Sequence, residues 1–174
     1  MLAARDITVE IGGDVVRLRP TLRAAMRLER DFGFPKLLKL LSEGSVTATS
    51  AILAEHANPF PAVSIANAIR LAPDLIAHVL RLAGASDEPA PKGKPAGKAM
   101  SHAAYFDRLF ALGTGALGWT AQATLDTPAA EIEAAYAGRV ELLSSIFGGK
   151  SEDDAAPTSA ERDPNAASIL RMLA

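Results

Sequence analysis

Cysteine is absent from the 174 residues, and aromatic residues are few: six Phe, two Tyr and one Trp. Without thiols the chain can form neither disulfides nor thiolate metal sites. No apolar run approaches the roughly 18 residues that a membrane-spanning helix needs, and the N-terminal residues lack the long apolar core of a signal peptide. These absences predict an aliphatic core and a cytoplasmic protein that does not contact membranes.

A marked excess of one charge sign is also missing. Lys and Arg number 18 against 20 Asp and Glu, so the formal net charge is −2. Such a chain has no overall attraction to a phosphate backbone, and nucleic acid is not an expected partner. Hydrophobic residues make up 49% of the sequence, and Ala and Leu recur among them. This mixture favours helices over a β-sandwich.

The first element is predicted to be a β-hairpin between Ile7 and Arg19. Gly12 and Gly13 provide the positive φ angles of a tight turn, and Pro20 ends the second strand because it has no N–H to donate. One face of the hairpin carries Ile7, Val9, Ile11, Val16 and Leu18. Because an isolated hairpin is marginal in water, it either lies on the helices that follow or pairs with strands of other subunits.

A series of helices follows the hairpin. Thr21 is a suitable N-cap for the first helix, which is expected to end near Gly33. The second helix is predicted to begin at Phe34, and Thr47 is predicted to cap the third. Two further helices are predicted from Pro61 and from Pro73, each with a proline in the first turn. Together with the hairpin they form the first predicted unit, residues 1–85.

A second helical unit is predicted after a linker. Residues 86–98 contain three Pro, two Gly and three Lys but no large apolar residue, as is typical of a flexible connection. Residues 99–149 then form a small helical domain. Residues 150–174 form a flexible tail, whose apolar residues 169–173 suit a short terminal docking helix.

Two capped helices are predicted in the second unit after a helix that carries Phe106. Thr120 caps a short helix, and Thr127 with Pro128 starts a longer one. The apolar stripe of the longer helix is Ile132, Tyr136, Leu143, Ile146 and Phe147. Gly138 is expected to break or thin this helix.

No catalytic, cofactor-binding or metal-binding residue is predicted. His56, His78 and His102 each lie alone in their segments, without a second ligand three or four residues away. The pattern Gly113-Thr-Gly-Ala-Leu-Gly118 follows a helix, whereas a dinucleotide-binding loop follows a strand. Ser144-Ser145 and Thr158-Ser159 have no His or Lys partner nearby, so no nucleophile is predicted. The chain is therefore not expected to be an enzyme.

The stretch from Leu117 to Gly138 is predicted to bind a protein partner. It contains the one tryptophan, which is either an interface anchor or a core residue. The candidate partner-binding residues are Leu117, Trp119, Leu125, Ile132 and Tyr136. A helix-turn-helix that reads DNA is disfavoured, because residues 120–149 hold four acidic side chains and one basic one, and phosphate would repel them.

This stretch resembles the family of phage tail assembly chaperones. The family pattern is Leu-Gly, a Ser or Thr, a short helix, Thr-Pro, a Glu, and an apolar helix that ends near Gly. The matching residues are Leu117, Gly118, Thr120, Thr127, Pro128, Glu131 and Gly138. Ala123 and Thr124 depart from it, since the family commonly has a bulky aromatic residue there. The hairpin and first helix are similar to tail proteins of gene transfer agents and related prophages of α-proteobacteria.

The resemblance implies a chaperone that coats the tape measure protein and recruits tail tube subunits. It implies action in the host cytoplasm and absence from the mature particle. The edges of the hairpin suggest a homo-oligomer. Two alternatives stay open: a structural tail component that is retained in the particle, and a small DNA-binding regulator.

Overall fold

The computed structural model of the chain describes residues 6–57, 61–84 and 100–147. In these residues a hairpin of two strands precedes seven α-helices. The elements are β1 (Ile7–Ile11), β2 (Asp14–Leu18), α1 (Leu22–Asp31), α2 (Phe34–Ser42), α3 (Val46–Ala54), α4 (Ile65–Leu82), α5 (His102–Ala111), α6 (Ala121–Leu125) and α7 (Ala129–Phe147), with a π-helical turn, Leu112–Ala116, after α5. A mainly helical protein with a small N-terminal hairpin is thus confirmed. The predicted linker 86–98 and tail 150–174 lie outside the described residues.

The hairpin has the predicted register and buried face. Val9 pairs with Val16 in the antiparallel ladder, and both side chains are buried. Gly12 and Gly13 take φ angles of +62° and +89° in the turn, the left-handed region that glycine adopts without strain. Of the two predicted placements, the structure has the hairpin against the helices, because α4 packs on β1.

Hydroxyl side chains cap α1, α3 and α4, whereas α2 begins after Gly33 without a side-chain cap. The hydroxyl of Thr21 accepts a hydrogen bond from the Ala24 N–H at 3.3 Å, as predicted for the N-cap of α1. The prediction of Thr47 as the cap of α3 is wrong. Ser45 fills that position and accepts from the Ala48 N–H at 3.3 Å. The hydroxyls of Ser45 and Thr47 are both chemically suitable as caps, and only the backbone angles select one of them.

The two helices predicted from Pro61 and Pro73 are one helix, α4, capped by Ser64. Pro73 lies in its interior, where a proline removes one helical hydrogen bond at a cost of about 3 kcal/mol. The helix continues because its apolar side, including Leu71, Leu75 and Val79, is buried in the core. Burial of several such side chains outweighs the loss of one bond.

Residues of both predicted units contribute to one core. Phe106 of α5 lies edge-on to Phe34 of α2, with ring centroids 5.8 Å apart, and Leu109 and Ile132 belong to the same apolar cluster. The chain divides instead into a compact unit Met1–Val140 and a second unit Glu141–Ala174. This boundary differs from the predicted division at residues 86–98. Apolar spacing in the sequence indicates that Phe106 is buried, but it does not show which helix covers the ring.

The start and length of α7 also differ from the sequence prediction. The Thr127 hydroxyl does not cap α7 but donates to the Ala123 carbonyl of α6 at 2.7 Å. The carbonyl of Pro128 accepts from the Ile132 amide at 3.2 Å, so the proline immediately precedes the helix. Gly138 does not interrupt α7, since a glycine inside a helix costs only about 1 kcal/mol.

Candidate functional site

We call residues Leu117 to Gly138 the Trp119 stretch, and its residue Thr124 packs closely against Gly113 in the π-helical turn. A Cβ on Gly113 would lie 2.3 Å from the Cγ2 of Thr124, so a larger residue does not fit. The Trp119 N–H donates to the Gly113 carbonyl at 2.9 Å, and Gly118 turns the chain with a φ of +71°. Gly113 therefore serves packing between the turn and α6, and Gly118 serves the change of chain direction.

The segment between α6 and α7 is joined to α1. The Leu22 N–H donates to the Thr127 carbonyl at 3.0 Å, and the neighbouring residues form an antiparallel β-bridge. Arg23 of α1 lies 2.9 Å from Asp126 as an ion pair. The stretch that the sequence suggests for partner binding is therefore an integral part of the first compact unit.

The two carboxylates in the first turns of α7 have different partners. Glu131 lies 3.5 Å from Arg19, whereas Glu133 accepts from the Tyr105 hydroxyl at 3.1 Å. Burial, and then the charge of Glu133, raises the pKa of Tyr105, so its phenol stays protonated. Because the two carboxylates are held by different partners, they cannot act together on one substrate atom.

The five candidate partner-binding residues differ in exposure. Ile132 is fully buried and belongs to the core, so its side chain is not available to a partner in this structure. Leu117 and Trp119 are half-buried and pack against the core. Leu125 and Tyr136 are half-buried as well. Four of the five residues thus keep some surface, but none is an exposed apolar anchor.

The most exposed group of large apolar residues lies in the last two turns of α7. We call it the α7 patch: Leu142, Leu143, Ile146 and Phe147, which are 58%, 41%, 61% and 78% exposed. At about 100° per residue, these four side chains lie within one side of the helix. The patch belongs to the second unit. Exposed apolar clusters of this kind mark protein interaction sites.

Sequence reasoning identified most of this stripe but not its exposure. Leu143, Ile146 and Phe147 have the spacing of any amphipathic helix, and such spacing is the same whether the stripe covers a core or awaits a partner. A usable signal is the neighbouring Gly148-Gly149, since the glycines and polar residues that directly follow the stripe provide no adjacent apolar side chain to cover it.

The structure brings together two histidines that are 22 residues apart in the sequence. The Nε2 atoms of His56 and His78 lie 3.0 Å apart, and the rings meet edge to face with centroids 4.8 Å apart. Burial lowers the pKa of His56 to about 4 and that of His78 to about 3. Both rings are therefore neutral at physiological pH.

The hydrogen-bond partners of the ring nitrogens determine the tautomers of this pair. The Nδ1 of His78 is buried without a partner among the described residues. A buried N–H donor without an acceptor is costly, so the proton of His78 is placed on Nε2, which then donates to the Nε2 of His56. Each histidine is alone in its own segment, but the fold joins the two, since His56 lies in the turn after α3 and His78 lies within α4. A spacing rule that searches within one helix misses such a contact.

Neither the histidine pair nor the remaining side chains form a metal cluster in the described ranges. Within residues 6–57, 61–84 and 100–147 there is no group of three or more His, Asp or Glu that could hold a metal ion. His102 lies apart from the pair, with its Nδ1 3.7 Å from Glu29. In the same ranges, every helix is too short or too polar to cross a bilayer.

Comparisons of the chain with known protein families, curated proteins and solved structures find no match. Among the described residues, the second unit has an exposed apolar cluster, the α7 patch, and the first unit holds a buried neutral histidine pair.

Proposed function

We propose that this protein is a non-enzymatic tail assembly chaperone that binds the tape measure protein and recruits tail tube subunits. It would act in the host cytoplasm and be absent from the mature particle. The α7 patch is the observation that supports this proposal most directly, because four large apolar side chains stay exposed on one side of a helix. The motif resemblance from Leu117 to Gly138 points to the same class of protein.

The chemistry of the patch suits a helical partner. A tape measure protein is a long helical chain with apolar stripes, which aggregates unless another protein covers them. An apolar helix side binds such a stripe through residues spaced three and four apart. Leu143, Ile146 and Phe147 have this spacing, and they would contribute most of the binding energy by leaving water.

The half-buried residues of the Trp119 stretch form the second proposed contact. Trp119, Leu125 and Tyr136 keep partial exposure, and they belong to the first unit, whereas the α7 patch belongs to the second. Two separate contacts would allow one chain to hold a tape measure segment and a tube subunit. Two sites on one chain raise the effective concentration of one partner near the other.

A pull-down of tape measure and tail tube proteins with the full chain tests the proposal. The variant Leu143→Ser/Phe147→Ser removes apolar area from the patch, and we expect it to lose tape measure binding. The control is Val15→Ser/Ile65→Ser, which removes two apolar side chains that are 70% and 68% exposed elsewhere. Undiminished tape measure binding by the patch variant would contradict the proposed site.

The alternative of a tail component retained in the particle has its own measurement. Mass spectrometry of purified particles should find the tube protein and not this chain. A stoichiometric amount of the chain in mature tails would instead support the structural role.

We also propose that the protein self-associates. Light scattering should use the full chain, because Phe106, Leu109 and Ile132 complete the core and a fragment of residues 1–88 lacks them. A strictly monomeric species at high micromolar concentration would argue against self-association.

A further inference from the structure

The α7 patch has a candidate occupant in the same chain. We infer that the apolar residues Ile169, Met172 and Leu173 dock on the α7 patch and cover it until a partner displaces them. This inference rests on the proposed function only for the identity of the displacing partner. The docking itself concerns residues of the second unit, Glu141–Ala174, alone.

The composition of the sequence after Phe147 supports this occupant. Among residues 148–174 the large apolar side chains are confined to Ile169, Leu170, Met172 and Leu173. The preceding stretch is polar and contains Gly148-Gly149, which permits a reversal of chain direction. A cluster of four large apolar residues after a polar stretch suits docking better than it suits a solvated spacer.

The spacing of the cluster matches that of the patch. Ile169, Met172 and Leu173 are separated by three and four residues, so a helical turn would place them on one side with Arg171 on the opposite side. The patch has the same arrangement, since Leu143 and Phe147 lie opposite Glu141 on α7. Two apolar sides would then meet while both charges stay in water.

The intervening sequence is long enough for this contact. Residues 148–168 separate the two clusters, and a coil of that length spans about 25 Å. The patch extends over about 8 Å of helix, so the cluster can reach every part of it. A tether of this length gives a local concentration in the millimolar range, about a hundredfold above a protein solution of 10 µM. The intramolecular occupant therefore has the advantage over a second copy.

A disulfide experiment tests the docking, and the absence of native cysteine keeps it free of background. The pair Ile146→Cys/Leu170→Cys joins the patch to the cluster. Its matched control is Ser145→Cys/Leu170→Cys, which has nearly the same tether but starts from the other side of α7. In the full chain under mild oxidation, we expect the first pair to form an intramolecular disulfide at least about tenfold faster than the control.

A second variant tests whether the apolar contact is the cause. Adding Ile169→Ser/Met172→Ser/Leu173→Ser to the first pair should lower its rate to that of the control. Equal rates for the two original pairs would overturn the inference. A disulfide formed mainly between chains would also overturn it, in favour of a second copy as the occupant.

The pull-down separates this inference from the proposed function. The triple-serine chain without added cysteines should bind the tape measure protein more strongly than the wild type, because its patch is uncovered. Selective disulfide formation without any tape measure binding would leave the docking intact and reject the proposed function. Tape measure binding that depends on Leu143 and Phe147, with equal disulfide rates, would do the reverse.

Discussion

Acidification should destabilise the fold through the His56–His78 pair. Burial lowers the pKa of both imidazoles from 6.5, to about 4 and about 3, so the folded state binds fewer protons than the unfolded state. Stability is then greatest above pH 6.5 and falls as the pH drops towards the folded values. At pH 5, protonation of each of the two imidazoles stabilises the unfolded chain by about 2 kcal/mol.

The expected loss for the pair follows from these numbers. If both rings stayed neutral in the folded protein, the free energy of unfolding would fall by about 4 kcal/mol between pH 7.5 and pH 5. The partial solvation of His56 reduces this fall to about 2–4 kcal/mol. His78 is fully buried and should account for most of the loss. Measurements above pH 5 limit interference from carboxylates, whose ordinary pKa values are near 4.

Urea unfolding followed by circular dichroism at several pH values between 7.5 and 5 measures this loss. The variant His56→Leu/His78→Leu removes both titrating groups and should lose most of the pH dependence. Its stability at pH 7.5 should change by about 1 kcal/mol or less, because both hydrogen-bond partners are replaced together. A wild-type midpoint that is the same at pH 7.5 and pH 5 would refute the reasoning.

Three substitutions test the packing of the first unit by the same unfolding assay. Gly113→Ala should destabilise the protein by about 1–3 kcal/mol through overpacking. Gly115→Ala should not destabilise it, because a Cβ at that position meets nothing within 4 Å. Equal effects of the two substitutions would show that the π-helical turn adjusts to the added methyl group. Pro73→Ala should stabilise by about 1–2 kcal/mol because it restores a helical hydrogen bond, and a loss of stability would indicate that the proline has a packing role. Arg23→Ala should lower stability by about 0.5–1.5 kcal/mol because it removes the ion pair with Asp126. This loss should exceed that of Arg30→Ala, since the partner of Arg30 is its sequence neighbour. Equal losses would mean that the long-range ion pair adds nothing to stability.

The local elements of the fold follow from short-range sequence signals. The glycine turn at Gly12 and Gly13 and the caps at Thr21 and Thr120 are correct predictions, because each depends on a few adjacent residues. Hydroxyl caps and positive φ angles are decided within one turn of chain. Errors of this kind were small, as at Ser45, where two nearby hydroxyls compete for one cap position.

The fate of each apolar side depends on the tertiary structure. Pro73 suggests a helix boundary, but core contacts along α4 keep one helix. The sequence predicts Phe106 in a separate unit, although its ring packs against Phe34. These outcomes depend on contacts between distant segments, and local periodicity carries no information about which segments meet.

The candidate sites divide in the same way. The sequence by itself determined a helical protein with a hairpin, and it identified Leu143, Ile146 and Phe147 as a stripe of one helix. Only the tertiary structure decided that this stripe stays exposed while Ile132 of the same helix is buried, and that His56 meets His78. The physical reason is that burial is a property of the packed chain: a residue is covered only if another segment lies over it.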